Sequence, residues 1–186
     1  MRRDAAENRN RLIDAARTIM RDEGGDVALE TIAERAGISR GTVYRNFEDR
    51  QQLYAAVLDD ELARIRESLG CPDRSADLPE VMRLLVELMA VYDRFRAALP
   101  HLPEFDGERG RHEAMLALLV EPMERARAAG FLKPDVTAGE LLLACRMVAA
   151  GWALDLEPDR QTALDKRLGL MLRGIGTDKC LSGRQG

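Results

Sequence analysis

Residues 30–46 read ETIAERAGISRGTVYRN, and three positions in that stretch decide the fold. Ala33, Gly37 and Val43 stand four and six residues apart. A helix-turn-helix needs that pattern: a small residue lets two helices approach, a glycine turns the chain, and an apolar anchor seats the second helix. Steps of 100° along the second helix gather Arg40, Gly41, Tyr44 and Arg45 on its outward side and send Val43 and Phe47 to the core. Laid in a major groove, such a face lets Gly41 approach the nucleic-acid backbone closely. Thr42 and Tyr44 can donate to phosphates, and Arg40 or Arg45 can pair with guanine edges. Asn46 can reach adenine or phosphate, and Ser39 is placed to cap the helix with its hydroxyl. Arg50 opens the following helix, where its side chain and free amides would together meet a phosphate.

Outward from this stretch, every long segment has helical period and strand-like alternation is nearly absent. A first helix is expected over about 5–22, with Leu12, Ala16, Ile19 and Met20 on its stripe and Gly24-Gly25 ending it. After the short pair comes a long helix of roughly twenty residues carrying Leu53, Val57, Leu58, Leu62, Ile65 and Leu69, stopped at Gly70-Cys71-Pro72. That break marks the domain junction. Downstream, Asp77 and Glu80 suggest a capping box for a helix to about 99. Residues 100–110 read as a loop, and a helix over about 111–129 contains Pro122, which should kink it. Thr137 and Glu140 form a second capping box, for a helix to about 154. A last helix ends near Arg173, and the tail from Thr177 is expected to be mobile.

Composition narrows the class. The 186 residues hold 28 Lys+Arg against 32 Asp+Glu, a formal charge of -4, with 46% hydrophobic and only 4% aromatic residues. This profile is that of a helical protein and not of a highly basic coat for nucleic acid. The deficit is uneven, because residues 1–50 hold ten Arg and ten acidic side chains and all the net charge lies beyond them. The longest apolar run, Met147 to Leu154, is too short to span a bilayer. A charged stretch follows Arg2 and Arg3, so no secretory leader, no membrane association and a cytoplasmic location are expected. Cys71, Cys145 and Cys180 are odd in number without CxxC spacing, which suits reduced thiols. Arg outnumbers Lys by 25 to 3, which codon bias in a GC-rich genome accounts for. His101 and His112, beside Glu104, Asp106, Glu108 and Glu113, match no particular metal geometry and read better as a solvated loop. No metal or cofactor is expected.

The longer stretch IAERAGISRGTVYRNFEDRQQLY, residues 32–54, resembles the DNA-binding signature of the TetR family of transcriptional regulators, and the resemblance extends over about 6–66. Gly37, Tyr44, Phe47 and Arg50 are the positions that carry it. Two differ from the common pattern: Arg50 stands where Lys is more usual, and Ala28 stands where many members have a Thr that caps the second helix. The resemblance implies an all-α protein with a three-helix DNA-binding domain over 6–66, a larger effector-binding and dimerisation domain over 67–176, and a tail over 177–186. It implies a homodimer that binds a palindromic operator in double-stranded DNA, most often as a repressor, and that answers to a small-molecule effector.

The segment RARAAGFLKPDVTAGELLLA followed by a helix ending LMLRGI is similar to the effector domain of one TetR subgroup. The family pattern places the dimer interface on the last two helices. It would comprise Leu141, Leu142, Cys145, Val148, Ala149 and Trp152 with Leu164, Leu168, Met171 and Leu172. An effector pocket would draw on Met82, Leu85, Met89, Phe95, Phe105, Met115, Leu119, Met123 and Met147, since thioethers fill irregular cavities. Plain core is the competing reading for each methionine. Arg146 interrupts an apolar helix and could anchor an anionic ligand, pair across a dimer, or lie at the surface on its own stem. Cys145 reads as a buried, inert thiol. No GxSxG elbow, phosphate loop or HExxH is present, so no enzyme is expected. A protein-interaction adaptor is the alternative, with an enzyme using the carboxy-terminal pocket behind it.

Overall fold

The computed structural model describes residues 2–22, 27–69, 77–97, 108–150 and 159–176. Eight helices form among them: α1 (Arg2–Asp22), α2 (Leu29–Arg35), α3 (Arg40–Asn46), α4 (Arg50–Leu69), α5 (Leu78–Ala97), α6 (Glu108–Ala128), α7 (Ala138–Ala149) and α8 (Arg160–Ile175). The β structure of the described residues is an isolated bridge between Leu132 and Gly176. The fold is all-helical, as the 3.6-residue periodicity requires. The Gly24-Gly25 and Gly70-Cys71-Pro72 stops, the 100–107 part of the expected loop and the tail from 177 lie outside the described residues, while α7 ends short of its expected limit of 154, at Ala149 with the extended Ala150 as its C-cap. α6 starts three residues before its expected position and runs unbroken through Pro122. The chain divides into two compact units, the first running to Ala63 with the part of α5 from Val91, the second taking Arg64–Ala90 and the helices beyond.

In the first unit α1, α2 and α3 pack on one another. Leu12, Ala16 and Ile19 of α1, Ile32 of α2, Val43 of α3 and Leu53 of α4 are wholly buried. Each large apolar side chain of this kind contributes about 1.5–3 kcal/mol through burial. Polar links fix the periphery. Arg17, only 13% exposed, joins Asp14, Asp60 and Glu61, the last at 2.5 Å, and Arg21 reaches Glu61 at 3.0 Å. Burial works against the Arg17 charge, but the Asp14 hydrogen bond and the carboxylates of Glu61 and Asp60 outweigh it and raise its pKa.

In the second unit α7 packs against both α6 and α8. Thr137 and Glu140 form the expected capping box: the Glu140 amide donates to Thr137 Oγ1 at 3.2 Å, and the Thr137 amide donates to Glu140 Oε2 at 2.7 Å. α5 has half of its expected box, the Glu80 amide donating to Asp77 at 3.0 Å. α8 is capped by Asp159, which accepts from the Thr162 amide at 2.8 Å. α6 ends on Gly130 at φ +74, with the Phe131 amide donating back to the Ala126 carbonyl at 2.8 Å. That left-handed residue and its reversed bonds satisfy carbonyls that the last turn leaves open.

Basic side chains close other loose ends. Arg167 donates to the Val148 and Ala150 carbonyls at 3.0 and 2.6 Å, at the carboxy-terminal end of α7. Lys133 donates to the Gly174 carbonyl at 2.7 Å, and Arg127 donates to the Val136 carbonyl.

The interface expected on the last two helices needs correcting. Leu141, Leu142, Cys145, Val148, Ala149, Leu164 and Leu168 are buried within the single chain, and Met171 and Leu172 are half-buried. They are the internal packing of this unit. The apolar side chains left outside are Leu143 at 58%, Met147 at 70% and Leu170 at 64% exposure. Trp152 lies outside the described residues.

Candidate nucleic-acid interface

α2 and α3 are held by a turn with a full set of backbone bonds. The Gly37 amide donates to the Glu34 carbonyl at 3.0 Å and the Ile38 amide to the Ala33 carbonyl at 2.9 Å. Gly37 has φ +65, a conformation that side chains with a Cβ rarely adopt. Arg11 reaches across from α1 and donates to the Ala36 carbonyl at 2.5 Å. A Cβ at Gly37 would lie 2.9 Å from that guanidinium. A side chain there would thus also displace the Arg11 guanidinium, although the backbone conformation is the stronger reason for glycine. Val43 is fully buried and Phe47 nearly so, so one face of α3 is fixed to the core. Arg9 covers the Phe47 ring, its guanidinium carbon 4.6 Å from the centroid.

The opposite face carries Arg40, Gly41, Tyr44 and Arg45, all exposed. A Cβ added at Gly41 would meet nothing within 4 Å. The protein's own packing thus gives no reason for glycine there, although glycine costs a helix about 1 kcal/mol relative to alanine. Thr42 centres a small network: its hydroxyl lies 2.9 Å from Ser39 Oγ and accepts from Arg45 Nη2 at 2.8 Å, while its carbonyl accepts from Asn46 Nδ2 at 2.8 Å.

Three expectations change here. Ser39 occupies the N-cap position but its hydroxyl makes no capping bond to α3; it turns to Thr42 instead. Asn46 folds back on its own helix. Arg50 does open α4, but its guanidinium donates to the Val27 carbonyl at 3.3 Å and so ties that helix to the approach to α2. At the same helix start Asp49 accepts from the Gln52 amide at 2.8 Å, using one of the amides expected to meet a phosphate. Ala28 is the N-cap of α2 and supplies no side-chain bond, as its methyl side chain dictates.

Glu30 and Arg9 were missed from sequence. Glu30 Oε1 accepts from the Tyr44 hydroxyl at 2.7 Å and lies 3.1 Å from Arg40 Nη2. The Tyr44 bond, followed by smaller contributions that include the Arg40 charge, holds the Glu30 carboxyl below the usual glutamate range. The same bond pushes the Tyr44 phenol up. The spacing of 14 residues between Glu30 and Tyr44 gives no hint of this contact, which depends on the angle between α2 and α3.

The proposed effector set fares differently. Met82, Leu85 and Leu119 are completely buried, with Met89, Met115 and Met123 nearly so, all as core of the second unit. Met147 is 70% exposed and lines no interior space. Arg146 is exposed, with Nη2 3.3 Å from His112 Nδ1. A groove of about 280 Å³ in this unit is lined by other residues: Arg66, Leu69, Ala117, Leu118, Glu121, Pro122 and Arg125. Phe105 and His101 lie outside the described residues, as does the side chain of Phe95. Among the described residues no group of three or more His, Cys, Asp or Glu side chains is placed to hold a metal ion, and no helix is long and apolar enough to cross a membrane.

A buried anchor, a glycine turn and an exposed second helix define a helix-turn-helix protein. Residues 12–57 match the profile of the bacterial regulatory proteins of the tetR family. Over 99 residues the chain is 36% identical to an uncharacterised HTH-type transcriptional regulator of Mycobacterium bovis, covering 52% of this chain and 49% of that protein. Over 63 residues it is 38% identical to an HTH-type transcriptional regulator of Staphylococcus aureus, covering 33% and 34% respectively. The aligned region thus spans about half the length, or less, of these relatives. Among solved structures, a TetR transcriptional regulator from Streptomyces coelicolor has a TM-score of 0.66 at 26% identity, over 90% of this chain and 98% of that one. A TetR-family regulator from Agrobacterium tumefaciens shares the fold, with a TM-score of 0.67 at 16% identity over 93% and 100%. Residues 12–57 thus carry a helix-turn-helix domain of the tetR type, and the chain is similar in fold to TetR-family transcriptional regulators. These relatives are regulators and not enzymes.

Proposed function

We propose that the chain is a homodimeric repressor in which two copies of α3 read a palindromic operator and a small-molecule effector releases them. Residues 6–66 would serve as the headpiece and residues 67–176 as the effector and dimer part, working in the cytoplasm. The observation that carries the reading is Gly41. It stands on the exposed side of α3 beside Arg40, Tyr44 and Arg45, with open space where a side chain would go. A helix tolerates that unfavourable residue when another surface must come close. Ser39, Thr42, Asn46 and Arg50 then act mainly by holding this face, and Arg40 and Arg45 remain the candidates for base or phosphate contact.

Leu143, Met147 and Leu170 support dimerisation through the outer sides of α7 and α8, since large apolar side chains standing exposed on neighbouring helices favour burial against a second copy. Met147→Glu should then shift the chain towards monomer in sedimentation equilibrium and weaken operator binding with it. The effector would enter among Met82, Met89, Met115 and Met123, whose flexible thioethers can repack around a guest. By linkage it must lower operator affinity by the factor by which the operator lowers its own. Footprinting on the DNA flanking the chain's own gene tests the whole reading. A protected palindrome is expected, and absence of sequence-specific protection at moderate salt would sink it.

A further inference from the structure

Glu30 lies on α2, away from the outward face of α3, yet it engages two side chains of that face through a single oxygen. Its Oε1 accepts from the Tyr44 hydroxyl at 2.7 Å and pairs with Arg40 at 3.1 Å. The Arg40 guanidinium carbon lies 5.9 Å from the Tyr44 ring centroid, so the three side chains form one exposed cluster joining α2 to α3. An anionic oxygen accepting charge-assisted hydrogen bonds from an arginine and a hydroxyl is also what a DNA phosphate offers such a pair. We propose that Glu30 is an internal stand-in for phosphate, occupying Arg40 and Tyr44 in the free protein and thereby lowering the affinity of the headpiece for any duplex. The inference rests on the reading that α3 faces DNA.

Proton inventory gives the reason. A tyrosine has one O–H, and while Glu30 holds it a phosphate cannot. Arg40 has donors to spare, but a phosphate drawn to it approaches the Glu30 charge as well. Binding must therefore either leave a carboxylate close to the DNA backbone or strip it of both partners. Arg45 is different, because its partner is the neutral Thr42 hydroxyl. Glu30 weighs against every sequence alike, so its consequence is greatest where electrostatics supplies nearly all the affinity, which is non-specific binding. It raises the threshold that base contacts must overcome.

The test compares the full chain with Glu30→Gln and Glu30→Ala, using fluorescence anisotropy on a labelled random-sequence duplex of about 30 base pairs between about 50 and 200 mM salt. Both variants should bind about threefold tighter, the range open to an exposed ion pair, and their log–log salt slope should steepen by up to about one. In an Arg40→Ala, Tyr44→Phe background the gain from Glu30→Gln should vanish. Melting curves confirm that each variant is folded; Glu30→Gln preserves the shape of the side chain. Unchanged or weaker binding by folded variants, while the unaltered chain binds normally, overturns the inference. A gain of the same size in the double background also overturns it, by reducing Glu30 to long-range repulsion. Failure of the unaltered chain to bind duplex at all overturns instead the reading on which the inference rests.

Discussion

A methyl group added at Gly41 meets open space, whereas one added at Gly37 meets Arg11 at 2.9 Å on a backbone at φ +65. The two glycines of one motif should therefore respond in opposite ways. Gly41→Ala should raise stability by about 0.5–1 kcal/mol while weakening duplex binding. Gly37→Ala should lower stability by at least about 1–2 kcal/mol, with binding lost only as the headpiece unfolds. Urea titrations beside anisotropy on the same samples separate the two cases. The inward direction of Val43 and Phe47 was legible because 100° steps depend only on the helix itself. Glu30 was not legible, since its reach to Tyr44 depends on how two helices cross. Arg50 was half legible: local signals mark the helix start, but its acceptor Val27 lies 23 residues back in the chain.

Helix ends behave as their first residues dictate. α2 begins at Ala28 with no side-chain cap, so Ala28→Ser or Ala28→Thr should add about 1 kcal/mol, seen as a rise of a few degrees in the thermal midpoint. α7 has the complete box, and Thr137→Ala should cost about the same amount. Its carboxylate also sets a pH dependence. Hydrogen bonds from the Thr137 backbone and then its side chain lower the Glu140 pKa in the folded chain. That stabilisation is complete above the ordinary glutamate pKa and is lost as pH falls through the depressed folded value. Glu140→Gln should flatten this part of the acid limb in a series of urea midpoints; an unaltered limb would show that the box does not couple to folding. The box was readable from four consecutive residues because both of its bonds are local. The α5 version was overread, because Asp77 and Glu80 satisfy the same pattern while only the Asp77 half is seen.

At the scale of the molecule, an apolar stripe reveals that a helix is covered but not by what. Leu141, Leu142, Cys145 and Val148 suggested a surface for a second copy, and they prove to be covered by the chain's own helices. Leu143, which no expectation used, and Met147, expected in the effector pocket, lie one turn apart on the other side and are exposed. Cys145 gives a readout of the internal assignment. Burial pushes its thiol up to about 12, and its Sγ lies 3.9 Å from the Met82 carbonyl. Iodoacetamide at neutral pH should leave the Cys145 peptide unmodified in the native chain and label it after unfolding, as peptide mapping would show. Rapid native labelling would mean that α7 opens or packs differently.

The arginine excess has a mechanical outcome. Arg11, Arg50, Arg127 and Arg167 all close gaps in the backbone by donating to carbonyls. A guanidinium offers five N–H donors and no acceptor, which suits it to carbonyls left open at helix ends and turns. At Arg167 a single nitrogen, Nη1, donates to both carbonyls. Acetylating reagents and acetyltransferases, which act on amines, find nothing to modify in them. These four joints are thus silent to amine chemistry, whereas Lys133, which holds the Gly174 carbonyl at 2.7 Å, is the structural cation that such reagents can reach.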